Sequence, residues 1–328
     1  MVPAGKEFRL SAVQPTLRRR HLRLGDPIFF GFCALFGAVI LAVVIAILIS
    51  LISGSWEALK NLGLSFFTGS DWAPLEGRMG AWPMLYGTLV SSLIGMVIAV
   101  PVSLGIAIFL VEWAPHWLRE PIGFLVELLA AIPSIIFGMW GMLVLAPLLQ
   151  QHTEPWLADH LGFLPIFSGP VLAGTGLLTA GLILALMVIP IVTSIARDAM
   201  RAVPVSQREA ALALGATRWE SVRLAILPYA RSGIFGGIIL GLGRALGETM
   251  AVALVIGTTP QVKASLFQPA YTMSSVIANE FSEATTDLYR SALMEIGLGL
   301  FVVTLLVNVV ARVLLRSVNH RAPAGTTT

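Results

Sequence analysis

The sequence predicts an all-α membrane protein with about six transmembrane helices, and three observations carry that prediction. Hydrophobic residues make up 56% of the 328-residue chain and charged residues only 12%, about half of the roughly 25% usual in soluble domains. Six apolar stretches, about 28–52, 84–111, 122–149, 170–196, 233–257 and 292–315, each reach the roughly 20 residues needed to cross a bilayer core of about 30 Å. The basic residues fall unevenly around them. With the N-terminal tail inside, sixteen of the 21 Lys and Arg lie on the inner side and four (Lys60, Arg78, Lys263 and Arg290) on the outer, Arg244 being within a span. That bias predicts both termini and the 197–232 loop to be cytoplasmic, with the chain a multi-pass protein of the cell inner membrane.

The chain divides into a basic tail at 1–24, a transmembrane domain at 25–318 that includes the 197–232 loop, and a polar tail at 319–328. Arg18-Arg19-Arg20 precede a first apolar run of about 25 residues. A cleaved signal has an apolar core of roughly 7–15 residues, so this run is expected to stay as a span. The single cysteine, Cys33, lies in it and has no second cysteine to pair with, so a filling role is expected. Outer segments at about 53–83, 150–169 and 258–291 are long enough for short helices and form the natural docking face for an external partner. The third span contains Glu127 and is bent at Pro133, whose ring removes a helical hydrogen bond; Pro101 and Pro190 are expected to be structural. His152 and His160 belong to no metal-ligand cluster and read as solvated surface residues.

The 197–232 loop has a pattern of its own: Glu209-Ala210-Ala211, then Gly215, then Ala225-Ile226-Leu227-Pro228. Ser206 stands three residues before Glu209, and Thr217 three before Glu220, so each pair can close a capping box at a helix start. Two short helices are expected. Gly215 suits the left-handed residue that ends the first, and Pro228 should stop or bend the second. Ala210, Ala211 and Ala213 keep the first helix thin enough for a partner surface to come close. Arg208, Arg218 and Arg223 around the turn could also suit a DNA-binding helix pair, but spans on both sides leave no free domain to track a groove. No nucleic acid is expected as partner.

Ionisable residues inside spans usually face a bundle interior or an aqueous path. The candidates are Glu127, Arg244 and Glu248, with Glu295 near the outer end of the sixth span. Arg244 and Glu248 are spaced to be neighbours on one helical face. That face also carries Gly237, Leu240, Gly241 and Ala251, and Gly237 with Gly241, like Gly243 with Gly247, has the spacing of close helix contacts. Arginine suits an oxyanion because its planar fork offers paired hydrogen bonds and keeps its charge when partly desolvated. A purely structural Arg244–Glu248 pair stays open, as does Glu127 as an alternative partner of Arg244. The one Gly-Lys pair, Gly5-Lys6, is followed by Glu7 rather than Ser or Thr, so no phosphate-cradling nucleotide loop is present. His-Glu-x-x-His and Gly-x-Ser-x-Gly patterns are absent too. The chain is therefore not expected to be an enzyme, and no cofactor or metal is expected.

The 209–228 pattern resembles the coupling loop of ABC-importer permeases, with Ala225 standing where that pattern has Ile. Gly241-Leu242-Gly243-Arg244-Ala245-Leu246-Gly247-Glu248-Thr249-Met250-Ala251-Val252 resembles the fifth-span signature of phosphate ABC-transporter permeases. Glu127-Leu128-Leu129-Ala130-Ala131-Ile132-Pro133-Ser134, continuing to Gly141, looks like the PstC-type subunit more than its PstA-type sister. The resemblance spans about 25–315 and implies a type I importer permease fold. It further implies a PstA-type sister permease, a PstB-type ATPase dimer and an external PstS-type phosphate-binding protein as partners, in contact with membrane lipid and carrying phosphate. By the same resemblance, Arg244 and Glu248 serve phosphate passage, while Glu209, Ala210, Ala211, Gly215, Leu227 and Pro228 couple the chain to ATPase subunits. Alternatives are a permease for another oxyanion such as molybdate or sulfate, or an ion-coupled secondary carrier. No internal repeat of the kind common in such carriers is visible.

Overall fold

The computed structural model describes residues 25–171 and 173–320, with side chains placed between 27 and 313. The tail expected at 1–24 and most of that expected at 319–328 lie outside the described residues. Among the described residues, six helices are long and apolar enough to cross a membrane. Helix α1 (Gly25–Gly54) supplies the first, and its residues up to Ile49 form a unit of their own. Phe29, Phe36, Ile40 and Ile47 are exposed along it, the pattern of a helix apolar on every side and suited to lipid.

The second unit starts at Ser50. It continues through α2 (Trp56–Leu62) and a short antiparallel hairpin of β1 (Trp72–Ala73) and β2 (Arg78–Met79), in which Trp72 faces Met79 and Ala73 faces Arg78. There follow α3 (Trp82–Trp113), α4 (His116–Ala131), α5 (Ser134–Leu161), α6 (Leu177–Arg201), α7 (Val205–Ala213), α8 (Arg218–Gly247), α9 (Met250–Val255), α10 (Met273–Glu280) and α11 (Asp287–His320). Helix α3 runs past three apolar clusters in turn. Met84 joins Phe66, Tyr271, Met273 and Leu293 near one end; Met96 and Ala99 join Ile183, Val188, Val192 and Val252 in the middle; Ala107 and Val111 join Met200, Val222 and Ile226 at the other end.

Helix α6 is the centre of this packing and the most buried of the six long apolar helices among the described residues. Glycines let its neighbours approach. A Cβ added at Gly95 of α3 would come 2.9 Å from Leu184 Cβ, and one at Gly241 of α8 would come 2.8 Å from Val188 Cγ1. Gly237 meets Ile195 in the same way, at 3.1 Å. The Gly237/Gly241 spacing therefore packs α8 on α6, as small residues do between membrane helices. Among the described residues the Gly243/Gly247 spacing packs on nothing, for a Cβ at either residue would meet no atom within 4 Å.

Three expected spans are differently bounded; the fourth, expected at 170–196, runs Leu177–Arg201. The third was expected at 122–149, with a bend at Pro133. Instead α4 stops at Ala131, Ile132 and Pro133 are extended (ψ 128° and 137°), and the span-length helix is Ser134–Leu161. A residue before proline is driven out of the helical region, which turns the expected bend into a break. The outer segment expected at 150–169 is consequently helical as far as Leu161, and His152 and His160 are carried on α5. His160 stacks on Trp156 with ring centroids 4.7 Å apart, and its Nδ1 lies 2.9 Å from the Trp156 carbonyl oxygen. The fifth span, expected through 257, ends at Gly247 because Glu248 is extended (φ −69°, ψ 130°).

Candidate functional site

Arg244 occupies the last turn of α8, and Glu248 the first position beyond it. The predicted single helical face through Ala251 is thus interrupted, yet the two side chains still meet: Arg244 Nη2 lies 3.5 Å from Glu248 Oε2. Glu248 is held from three sides. Its Oε1 is 3.4 Å from the Ala251 amide, which donates to it from the first turn of α9, and its carbonyl oxygen accepts a 2.7 Å bond from Ser274 Oγ. Each charge also sits at the helix end that favours it, the guanidinium at the negative end of α8 and the carboxylate at the positive end of α9. The environments differ sharply, however. The Glu248 side chain is 6% exposed and that of Arg244 44% exposed, beside the open space at Gly243 and Gly247. The arrangement leaves the cation on an open side with its counter-charge fixed behind it, so an anion can approach Arg244 without first displacing a buried partner.

Glu127 does not join this pair. It lies on α4 with a 57% exposed side chain, and its Oε1 pairs at 2.9 Å with Nη2 of Arg197 on α6. It was expected as a buried charge; the break at Pro133 moves it out of the long span. Arg197 is itself largely buried, also lies 3.4 Å from Asp198, and would be met at 2.7 Å by a Cβ on Gly123 of α4. That contact seats α4 on α6. Glu295 of α11 is fully buried, and neither of its oxygens has a hydrogen-bond partner among the described residues.

The α7–α8 segment has the expected turn and one unexpected start. The Gly215 amide bonds the Leu212 carbonyl at 3.0 Å and the Ala216 amide the Ala211 carbonyl at 3.2 Å, with Gly215 at φ 87°; this is the Schellman ending that a glycine permits. Thr217 and Glu220 form the capping box: the Thr217 amide donates to Glu220 Oε2 at 2.7 Å and the Glu220 amide to Thr217 Oγ1 at 3.3 Å. Ser206 and Glu209 do not. Helix α7 begins at Val205 with Pro204 in the capping position, so Ser206 already lies inside the first turn and its hydroxyl cannot serve as the cap. Nor does the second helix stop at Pro228. From Val222 to Ile226 the helix widens so that the Leu227 amide bonds the Val222 carbonyl, and Pro228 falls at the start of the following regular turn, where its missing N–H costs little.

Sequence reasoning missed Arg208. Its Nη2 donates to the Met200 carbonyl at the end of α6 at 2.8 Å, and its Nη1 lies 3.3 Å from Glu112 Oε1 at the end of α3. One side chain thereby fixes α7 to two long helices. No residue of α7 is buried in this chain; Leu214, 90% exposed, and Leu224 flank a groove of about 720 Å³ whose lining includes Ala210, Ala211 and Gly215. At the opposite end of α3, a cavity of about 880 Å³ contains Glu280, which accepts hydrogen bonds from Trp72 Nε1 at 2.9 Å and Tyr289 Oη at 2.5 Å. Tyr271 in the same wall receives a 3.2 Å bond from Asn279, and burial raises its phenol above the usual range.

Known proteins resemble this chain along most of its length. The family described as the binding-protein-dependent transport system inner membrane component matches residues 99–322. The phosphate transport system permease protein PstC of Haemophilus influenzae is 49% identical over 293 residues, covering 88% of this chain and 93% of that one. PstC of Xylella fastidiosa strain Temecula1 is 50% identical over 288 residues, covering 87% and 88%, and PstC 2 of Mycobacterium tuberculosis is 43% identical over 300 residues, covering 89% and 92%. Among solved structures, a bacterial ABC transporter involved in import of the acidic polysaccharide alginate superposes with a TM-score of 0.57 at 16% identity, covering 90% of this chain and 99% of that one. The architecture is thus that of an ABC-transporter permease. With its six apolar helices, its match across 99–322 and relatives at 49% and 50% identity, the chain belongs to the family of binding-protein-dependent transport system inner membrane components.

Proposed function

We propose that this chain is the membrane-spanning permease subunit of an ATP-driven phosphate importer, and that it forms the translocation path with a sister permease. The observation that carries the reading is the half-exposed Arg244 at the break after α8, backed by a buried carboxylate that is anchored independently to α9. A guanidinium so placed offers paired hydrogen bonds to phosphate oxygens, while the open glycine face beside it leaves room for a second chain to complete the path. Glu127 serves to seat α4 through Arg197 rather than to line the path beside Arg244.

The partners follow from the two ends. The α7–α8 segment, with exposed Leu212, Leu214 and Leu224 beside small residues, docks on an ATPase subunit of the PstB type. Glu209, Ala210, Ala211 and Gly215 supply the contact, and Leu227 and Pro228 its continuation into α8. The PstA-type permease covers the unpacked face of α8, and a PstS-type phosphate-binding protein docks at the opposite end, where the acidic cavity opens. ATP is hydrolysed in the partner chains. In vesicles containing the complete complex, phosphate uptake should require ATP, persist when ion gradients are collapsed, and resist competition by molybdate and sulfate. Uptake driven by an ion gradient without ATPase subunits, or preference for either competitor, overturns the reading.

Both termini and the 197–232 loop face the cytoplasm in this reading. The sixteen-to-four distribution of basic residues is its basis. A cysteine at position 218 in a Cys33→Ser background should resist a membrane-impermeant thiol reagent in intact cells and react in inverted vesicles. Labelling in intact cells would reverse the topology.

A further inference from the structure

A second cationic site lies away from Arg244, where the ends of α3 and α7 meet the starts of α4 and α8. The cavity there has a volume of about 570 Å³, and Arg119, Arg208, Arg218, His116, Glu112 and Trp113 contribute to its wall. Three guanidiniums face one carboxylate, so two positive charges are uncompensated even with His116 neutral. Glu112 repels an anion, but Arg208 already engages it at 3.3 Å. The other two arginines are less committed. Arg119 is steered by a 2.8 Å bond from its Nε to the Ala114 carbonyl, which leaves its two Nη atoms without a partner among the described residues. Arg218 makes no side-chain hydrogen bond or ion pair among the described residues. The Nε of Arg208 is buried and likewise unpartnered.

Tryptophans set the level of this pocket. Trp113 and Trp219 lie with ring centroids 6.2 Å apart, and Trp117 in the first turn of α4 is exposed. Such clusters settle where the headgroups of a bilayer begin, and basic pockets between helices at that level suit phosphate headgroups.

We propose that this pocket binds a phosphate-bearing anion, with Arg119 and Arg218 as its principal ligands and Arg208 as the fixed base of the site. The tryptophans favour the headgroup of an anionic phospholipid over free phosphate as the source. Because Arg208 also holds α7 to α3 and α6, occupancy of the pocket braces the segment proposed to contact the ATPase; that consequence rests on the coupling reading, whereas the binding itself does not depend on which solute is carried.

The purified complex in nanodiscs tests the proposal. Thermal unfolding and native mass spectrometry would compare phosphatidylcholine alone, an equimolar mixture with phosphatidylglycerol, and phosphatidylcholine with added inorganic phosphate. Phosphatidylglycerol should raise the unfolding midpoint and remain bound to the wild-type complex. In Arg119→Gln with Arg218→Gln its affinity should fall by about tenfold or more, tenfold corresponding to roughly one of the two charge-assisted contacts removed. Arg218→Gln alone, at an exposed and unpartnered residue, gives the same comparison in a milder variant should the double one unfold. An equivalent variant-dependent protection by inorganic phosphate supports the site and names free phosphate as its source. Equal protection of wild type and variants, or none, overturns the proposal. So does an effect of the variants confined to complexes with bound ATPase in phosphatidylcholine alone, which would assign the pocket to a protein carboxylate.

Discussion

Phosphate uptake by the reconstituted complex should fall by about ten- to a hundredfold or more in Arg244→Gln, with the subunits still assembled. The estimate follows from the roughly 1.5–3 kcal/mol carried by a hydrogen bond to a charged group, felt more than once as the anion passes. Assembly should survive because the guanidinium is half-exposed and its only ion pair among the described residues is the 3.5 Å contact with Glu248. Glu248→Gln should impair uptake less. Glutamine keeps an oxygen for the Ala251 amide, and the bond from Ser274 goes to the backbone. What is lost is the charge that orients Arg244 and repels the anion. Uptake measured in vesicles, with subunit stoichiometry checked on the same preparations, decides the matter: near-normal transport in Arg244→Gln reduces the pair to a structural one.

Glu209→Ala combined with Gly215→Val should leave membrane insertion normal, weaken recovery of the ATPase on purification, and separate ATP hydrolysis from uptake. The glycine contributes most. At φ 87° a valine is strained by about 1–3 kcal/mol, although the space around it is open, with no atom within 4 Å of an added Cβ. The strain therefore distorts the α7–α8 turn without propagating into the spans. Glu209 is exposed and does not cap α7, so its loss acts at the partner surface rather than on the helix. A double variant that retains both the bound ATPase and coupled uptake removes this segment from the coupling path.

Composition made the membrane class legible, because nothing but lipid accommodates six long runs of apolar residues in one short chain. The local turn chemistry at Gly215 and Thr217 was legible for a similar reason: its partners lie within five residues. What failed was everything decided by a residue just outside the pattern. Pro204 takes the capping position of α7 two residues before Ser206, and Pro133 breaks a span that apolarity alone runs together. Long-range ion pairs were beyond reach. Nothing in the order of residues joins Arg208 to Glu112, or directs Arg197 rather than Arg244 to Glu127. The interruption after Gly247 was hidden because Glu248 is a good helix former; its extended backbone accompanies contacts with Ala251 and Ser274, the latter 26 residues away.

The widened turn at 222–226 gives α8 a mechanical property. Because the chain stays helical through it and through Pro228, Arg218–Gly247 is a single rod of 30 residues, about 45 Å long at roughly 1.5 Å per residue. Its lower end is the short segment beside α7, and its upper end carries Arg244. Such a rod is a lever: a tilt of only about 10° imposed near Arg218 sweeps the far tip by about 8 Å, by the same helix dimensions. That stroke is large enough to carry a guanidinium from one side of a phosphate-sized space to the other. Under the proposed function, a push delivered at the loop would reach Arg244 by leverage, without any chain of side-chain rearrangements between them.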